Sequence, residues 1–440
     1  MKTLKKKPKT TARAARPVPK KKAVPKKAAT GKAKSASKKR VSKPQPRKPA
    51  KKTARIARKT APTATTKPSV RARLEAAAQK KPSPSTSKKA APASAPPPSV
   101  SNHVAPAVVP VIRGSKAAAL PREFLVELAT AIRTAVLPYV HAAKGREVVG
   151  LAASGDATFE LDTVAEKALL AFLKEAKRPV AYYSEDAGYT TFSSGQPQNL
   201  LVIDPIDGSR AAKSGFESCV VSVASTRVIE RPRMIDVENA CVMEIVGQRT
   251  FYAERGKGAR IYADGAIKKP KLSKNTNLEI VSWSMTVPAR PAELIFPTAA
   301  KLVDLTSLKG GFFTCNSTSF SLTRLLTTQL DACIDIANRY LRDIPDIVED
   351  QFINAGRGSV IGIAPYDIAA SVLIAQEAGC SVTDAYGGTF DDVLLLDSSV
   401  GNHRSLIAAA NAELHEKLMS FFDIRIKQYE ELLKRRAGKA

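Results

Sequence analysis

The pattern of apolar and polar positions divides the chain in two. Across the first hundred or so residues no period holds, whereas from Leu120 onward elements can be read one after another. Phe124, Leu125, Leu128, Ile132 and Val136 recur at helical spacing and predict a helix within 120–143. Val164, Ala168, Leu169, Phe172 and Leu173 form the stripe of a second helix starting at Asp162, with Thr163 and Glu166 at capping-box spacing. Residues 179–184 and the apolar run Leu200 to Ile203 read as strands, the second ended by Pro205. Further strands are expected over 216–224, 240–245 and 247–254, with Gly256 and Gly258 as turn glycines. The pattern resets near Asn277. A helix over 317–330 and a strand over 331–336 precede a polar, irregular stretch from Tyr340 to Ile363. A helix then starts at Asp367 and stops at Gly379, and a last one begins near Asn411. Strands mixed with helices in this order predict an α/β (α+β) fold in two lobes, 113–276 and 277–410, followed by a terminal helix over 411–440.

Charge sharpens the boundary between the two parts. Residues 1–100 hold 32 of the 70 Lys and Arg but one acid, Glu75, so the net charge of +30 belongs to this tail. It also holds 15 of the 29 prolines and no aromatic residue, the first being Phe124. Such a segment cannot bury enough apolar surface to offset chain entropy, and residues 1–112 are expected to be disordered. A polycation of this density neutralises phosphates and releases counterions, which predicts nonspecific, salt-dependent binding of nucleic acid or another polyanion. The lysine clusters Lys5, Lys6, Lys7, Lys20, Lys21, Lys22, Lys38, Lys39, Arg40, Lys51 and Lys52 are its expected contacts. Without aromatics the tail offers no base-stacking platform. Five scattered cysteines without a C-x-x-C pair, no long apolar run and no apolar stretch behind the first lysines predict a cytoplasmic protein with reduced thiols and no membrane span. Nucleic-acid binding would place it at a nucleoid, or in a nucleus if the host has one.

The candidate chemistry is acidic. In Asn199-Leu-Leu-Val-Ile-Asp-Pro-Ile-Asp-Gly-Ser209 a strand ends on Asp204 and Asp207 around a proline bend, with Gly208 freeing the backbone so that N–H groups point outward. Two hard oxygen donors beside an anion nest suit a Mg²⁺-bound phosphate, and an Asp-Pro turn with Asp207 as a helix cap is the equal alternative. Asp156 and Asp162, Glu185 and Asp186, and Asp367 also sit where strands end or helices begin, although an N-cap is the commonest use of such an Asp. Oxygen donors without His or Cys favour Mg²⁺ or Mn²⁺ over zinc. His103, His141, His403 and His415 show no ligand spacing.

The ordered set Asp-x5-Asp, Ser-Glu-Asp, Asp-Pro-Ile-Asp-Gly-Ser and Tyr-Asp-Ile-Ala-Ala…Glu-Ala-Gly resembles the inositol monophosphatase family of Mg²⁺-dependent, lithium-sensitive phosphatases over about residues 120–415. Gly155-Asp-Ala-Thr-Phe-Glu-Leu-Asp is most similar to archaeal-type members that hydrolyse fructose 1,6-bisphosphate and inositol monophosphate. The resemblance implies an alternating αβαβα layered sandwich, two or three Mg²⁺ ions, a small phosphorylated polyol or sugar as substrate, and a homodimer. It implies metal ligands at Glu185, Asp204, the Ile206 carbonyl, Asp207 and Asp367, with Glu185 and Asp204 on the ion that activates water. Gly208 and Ser209 would bind phosphate through backbone N–H groups. The Ser209 hydroxyl, bonded to Asp162, would orient the attacking water, and Asp335 and Asp207 would touch the substrate. Departures from the family pattern fall at Asp186, at Arg210-Ala-Ala, at Asn316-Ser-Thr-Ser319, in the long Tyr340–Ile363 stretch, and at Leu151, where a loop lysine is common. Two other readings stay open: a 3′(2′),5′-bisphosphate nucleotidase, and a nucleic-acid-binding protein with a degenerate phosphatase domain.

Overall fold

The computed structural model describes residues 117–140, 142, 147–151, 157–192 and 195–438. The basic tail with its lysine clusters, together with Asp156 and His141, lies outside the described residues. A short antiparallel pair, β1 (Val148–Leu151) and β2 (Ala157–Phe159), precedes the main sheets. The larger sheet holds β3 (Val180–Ser184), β4 (Gly188–Thr191), β5 (Asn199–Asp207), β6 (Val220–Thr226), β7 (Asn239–Glu244), β8 (Thr250–Glu254), β9 (Gly258–Ala263) and β10 (Ala266–Lys268). Its order is β10-β9-β8-β7-β6-β5-β3-β4, and β3 with β5 is its one parallel pair. The second sheet holds β11 (Ser282–Met285), β12 (Gly311–Phe313), β13 (Ala332–Asp335), β14 (Ser381–Thr383) and β15 (Leu406–Ala409), in the order β12-β11-β13-β15-β14.

Helices cover both faces of the two larger sheets. On β5, Leu201 and Ile203 point into a cluster with α1 (Arg122–Val136) and α2 (Glu160–Ala176), whereas Leu200 and Val202 point the opposite way. A strand buried on both faces needs a continuous apolar run, which is why these four positions do not alternate with polar ones. The opposite face packs on two central helices, α5 (Thr318–Leu325) and α8 (Pro365–Ala378), whose far side meets Cys333, Val382, Leu406 and Ala408 of the second sheet. Enclosed between two sheets, α8 is apolar nearly all round, from Ile368 to Ala375. The remaining face of the second sheet carries Trp283, Ile334, Ile407 and Ala409 against α4 (Ala292–Thr306) and α9 (Ala412–Arg436). The layers therefore run αβαβα. Residues before Asn277 form the first sheet and those after it the second, and one buried cluster with side chains from both joins them.

Three local expectations are corrected. The Tyr340–Ile363 stretch is largely helical: α6 (Ala337–Asp343) and α7 (Pro345–Ala355) bury Tyr340, Leu341, Ile344, Val348 and Phe352 in the outer cluster. Its many charges mask a helical apolar spacing that only burial makes decisive, and Pro345 at the first turn starts α7 where no N–H is needed. Pro205 does not end β5. The register with β6 slips between Asp204, opposite Ser222, and Asp207, opposite Val220, so the proline sits in a bulge that asks nothing of its missing N–H. The helix α2 begins at Glu160, with Asp162 in its first turn accepting the Phe159 N–H at 2.7 Å. Glu166 instead turns inward and accepts the Ser184 hydroxyl at 2.5 Å. Four of the five free cysteines are buried, Cys315 less so, and no helix among the described residues is long and apolar enough to cross a membrane.

Candidate active site

The bulge at the end of β5 turns both aspartates to one side. Asp204 and Asp207 are 3% and 7% exposed; Ile206 N–H donates to Asp204 Oδ1 at 3.0 Å and Ser319 N–H to Asp207 Oδ2 at 2.6 Å. Gly208 follows with φ +101, and Ser209 opens the short helix α3 (Ser209–Ser214). Ser209 Oγ lies 2.8 Å from Asp162 Oδ1 and 3.1 Å from the Ile206 carbonyl. A hydroxyl has one proton, and the carboxylate is the stronger acceptor.

Other segments converge on this bend. Parallel pairing of β3 with β5 sets Ser184 beside Ile203, so Glu185, the first residue past β3, follows alongside Asp204 in β5. Asp186, one further, accepts the Thr158 hydroxyl from β2 at 2.9 Å. Asp367 lies in the first turn of α8, where it accepts the Ala364 N–H at 2.7 Å. Ser319 ties the segments together. Besides its N–H bond to Asp207, its hydroxyl donates to the Asp367 carbonyl at 2.6 Å and lies 3.0 Å from Ser371 Oγ.

A single cavity is lined by Asp162, Glu185, Asp186, Asp204, Ile206, Asp207, Gly208, Ser209 and Asp367. The facing wall comes from the second sheet and its loops: Thr286, Pro288, Arg290, Asn316, Val360, Ile361, Gly362 and His403. Asp335 is not on either wall. It stands behind Arg290, accepting its Nε and Nη2 at 3.1 and 2.9 Å. Sequence reading passed over Thr158, Arg290, His403 and the positioning role of Ser319. The one local signal for Arg290 was its place between Pro288 and Pro291, just ahead of a helix.

The electrostatics are those of a cage of like charge. Burial, and then the charges of Asp207, Glu185 and Asp367, push Asp204 well above the usual carboxylate range. Burial also raises Asp207 to about 6, against hydrogen bonds from Ser319, Ser317 and Thr318. Burial holds His403 down at about 4, and its Nε2 faces the Ser398 carbonyl at 3.0 Å, so the ring is neutral with its proton on Nε2. Among the described residues no group of three or more acidic, His or Cys side chains is close enough together to hold a metal ion by itself. Mg²⁺ takes several of its ligands from water and substrate.

The inositol monophosphatase family model matches residues 121–426. A fructose-1,6-bisphosphatase/inositol-1-monophosphatase of Methanothermobacter thermautotrophicus is 28% identical over 308 residues, covering 68% of this chain and 95% of that protein. A bifunctional NADP phosphatase/NAD kinase of Methanococcus maripaludis is 27% identical over 314 residues, covering 69% of this chain; the chain spans about half, 49%, of that relative's length. The crystal structure of the extragenic suppressor protein SuhB of Bartonella henselae shares the fold, with a TM-score of 0.51, 19% identity, and coverage of 68% of this chain and 97% of that one. With more than half of its length matched, the chain belongs to the inositol monophosphatase family, and it is a phosphoric monoester hydrolase.

Proposed function

We propose that this enzyme hydrolyses a small phosphorylated polyol or sugar, of the inositol monophosphate or fructose 1,6-bisphosphate type, with Mg²⁺ held by Glu185, Asp204, the Ile206 carbonyl, Asp207 and Asp367. The observation that carries the reading is the buried Asp204/Asp207 pair, both raised by burial and Asp204 also by the charges around it, lining one cavity together with Glu185 and Asp367. An all-oxygen donor set with excess negative charge fits a hard divalent cation. Bound there, such ions neutralise phosphoryl charge and make water a better nucleophile. The Gly208 and Ser209 N–H groups bind the phosphoryl oxygens. Ser209 donates its proton to Asp162, which leaves its oxygen to accept from a cavity water and hold that water's lone pair toward phosphorus. Asp162 is itself fixed by the Phe159 N–H, so the relay has one orientation.

Phosphate release from inositol 1-phosphate, fructose 1,6-bisphosphate and adenosine 3′,5′-bisphosphate, with and without Mg²⁺, tests the reading; turnover unaffected by chelation would overturn it. A second test needs no turnover. The folded-state value of Asp207 lies above its ordinary 3.8, at about 6, so the metal-free protein loses stability as pH rises through that window, by on the order of 3 kcal/mol from this group. A cation on the ionised pair offsets the loss. Mg²⁺ is therefore expected to raise the melting temperature more at about pH 7.5 than at about pH 5, and an equal shift at both would count against the assigned ligands.

We also propose that the tail, residues 1–112, tethers the enzyme to nucleic acid, a reading supported by its charge. Deleting 1–112 is expected to abolish retention on duplex DNA at about 0.1 M salt while turnover of a small substrate stays within about twofold. Retention that survives the deletion would end the tether.

A further inference from the structure

The wall facing the carboxylates is built differently from the wall that bears them. It presents no acid to this cavity: Asp335 stands behind it and Arg290 is on the lining. The two side chains are 8% and 2% exposed for Arg290 and Asp335 respectively. Asp335 is fixed on both oxygens, Oδ1 accepting the Ala337 N–H at 3.2 Å and Oδ2 the guanidinium. Arg290 Nη1 donates to the Pro288 carbonyl at 3.1 Å. These bonds use three of the five guanidinium N–H groups and leave one on each terminal nitrogen. The backbone is forced to deliver this arginine: Ala289, just before it, has φ +56, a conformation that costs a residue with a Cβ about 1–2 kcal/mol.

The charge of Arg290 is felt on this side with Asp335 in place. After burial it is the largest influence holding His403 neutral, against the Ser398 carbonyl and the charge of Asp397. Arg290, His403, Val360, Ile361 and Gly362 also line a small side chamber whose other ionised groups are Arg404 and Asp335. A polyol monophosphate brings only hydroxyls to such a wall. An oriented, partly desolvated guanidinium is matched far better by an anionic oxygen, which can take two parallel N–H bonds.

We propose that Arg290, aimed by Asp335, is the specificity-determining residue of the second wall, and that the preferred substrate carries a second anionic group, a phosphate, on the alcohol released. This rests on the phosphatase reading above and narrows it to bisphosphates. Arg290 contacts the substrate; Asp335 is a positioning residue.

The test uses the full chain with Mg²⁺ and two matched pairs: fructose 1,6-bisphosphate against fructose 1-phosphate, and adenosine 3′,5′-bisphosphate against adenosine 3′-phosphate. The two pairs separate a sugar from a nucleotide as the source of the second phosphate. The wild-type kcat/KM is expected to favour the bisphosphate of at least one pair by about tenfold or more. Arg290→Gln with Asp335→Asn, which removes both buried charges together, should cut that preference at least about tenfold, mainly through KM for the bisphosphate. Asp335→Asn alone should raise the same KM with kcat nearly unchanged. If the double variant fails to melt cooperatively, Arg290→Lys decides, since it keeps a charge for Asp335 but loses the fork. A severalfold fall in preference supports the inference and an unchanged preference overturns it. Equal turnover of both members of each pair by wild type, or equal loss on both in the variants, overturns it while leaving the phosphatase reading intact. No release from any substrate overturns both.

Discussion

Asp204→Asn is expected to reduce Mg²⁺-dependent phosphate release by on the order of 10³-fold, with the melting temperature of the metal-free protein unchanged or raised. The two halves of this result come from one cause. Asp204 is buried among Asp207, Glu185 and Asp367, and their charges oppose its ionisation. An amide of the same shape still accepts the Ile206 N–H through its oxygen, so the bulge keeps its hydrogen bond while the repulsion falls. What the amide cannot replace is the negative oxygen that a hard cation requires. The measurement is phosphate release across a Mg²⁺ titration beside thermal melts in chelator. A variant that turns over normally, or one that loses activity because it no longer folds, would contradict the assignment of Asp204 as a ligand in a charge-strained site.

Gly208→Ala should cost stability and activity together. With φ +101 the residue sits where a side chain is strained, and a Cβ there would lie 2.5 Å from the Ser218 carbonyl oxygen, 3.1 Å from Ser317 Cβ and 3.2 Å from Cys219 Cα. Two of these three neighbours are backbone, so nothing flexible can yield. The strain and overlap amount to about 2–4 kcal/mol, which lowers the melting temperature by roughly 5 °C or more. Because relief requires moving the Gly208 and Ser209 N–H groups, turnover should fall about 10²-fold even below the new melting point. Gly195→Ala is the control: that glycine has open space around it and no positive φ, and neither property should change. A Gly208→Ala enzyme with wild-type kcat would show that these N–H groups do not hold phosphate.

Much of this architecture is legible along the chain, and the exceptions have physical causes. The β5 run, the α8 stop at Gly379 with φ +95, and the Asn411 cap that accepts the Leu414 N–H are local events, settled by residues within a few positions of one another. The helical nature of 337–355 was hidden because its six buried apolar residues, Ala337, Tyr340, Leu341, Ile344, Val348 and Phe352, are interleaved with charged ones, of which Arg339 is itself buried. The role of Ser319 was hidden for another reason. It joins Asp207 from the first sheet to the Asp367 carbonyl of α8, partners 112 and 48 residues away, and no local pattern encodes such a link.

The sequence by itself determined which side chains could do chemistry, where strands end on carboxylates, and that all the excess positive charge lies in the tail, because these are matters of composition and near neighbours. Tertiary structure alone decided which acid faces the cavity and which stands behind it. The family resemblance implies Asp335 as a substrate contact, whereas the pairing of β13 with β11 brings the loop after β11 alongside it and sets Arg290 against its carboxylate. A side chain's identity is carried by its own position in the chain, whereas its exposure and its partner belong to whatever distant segment packs against it.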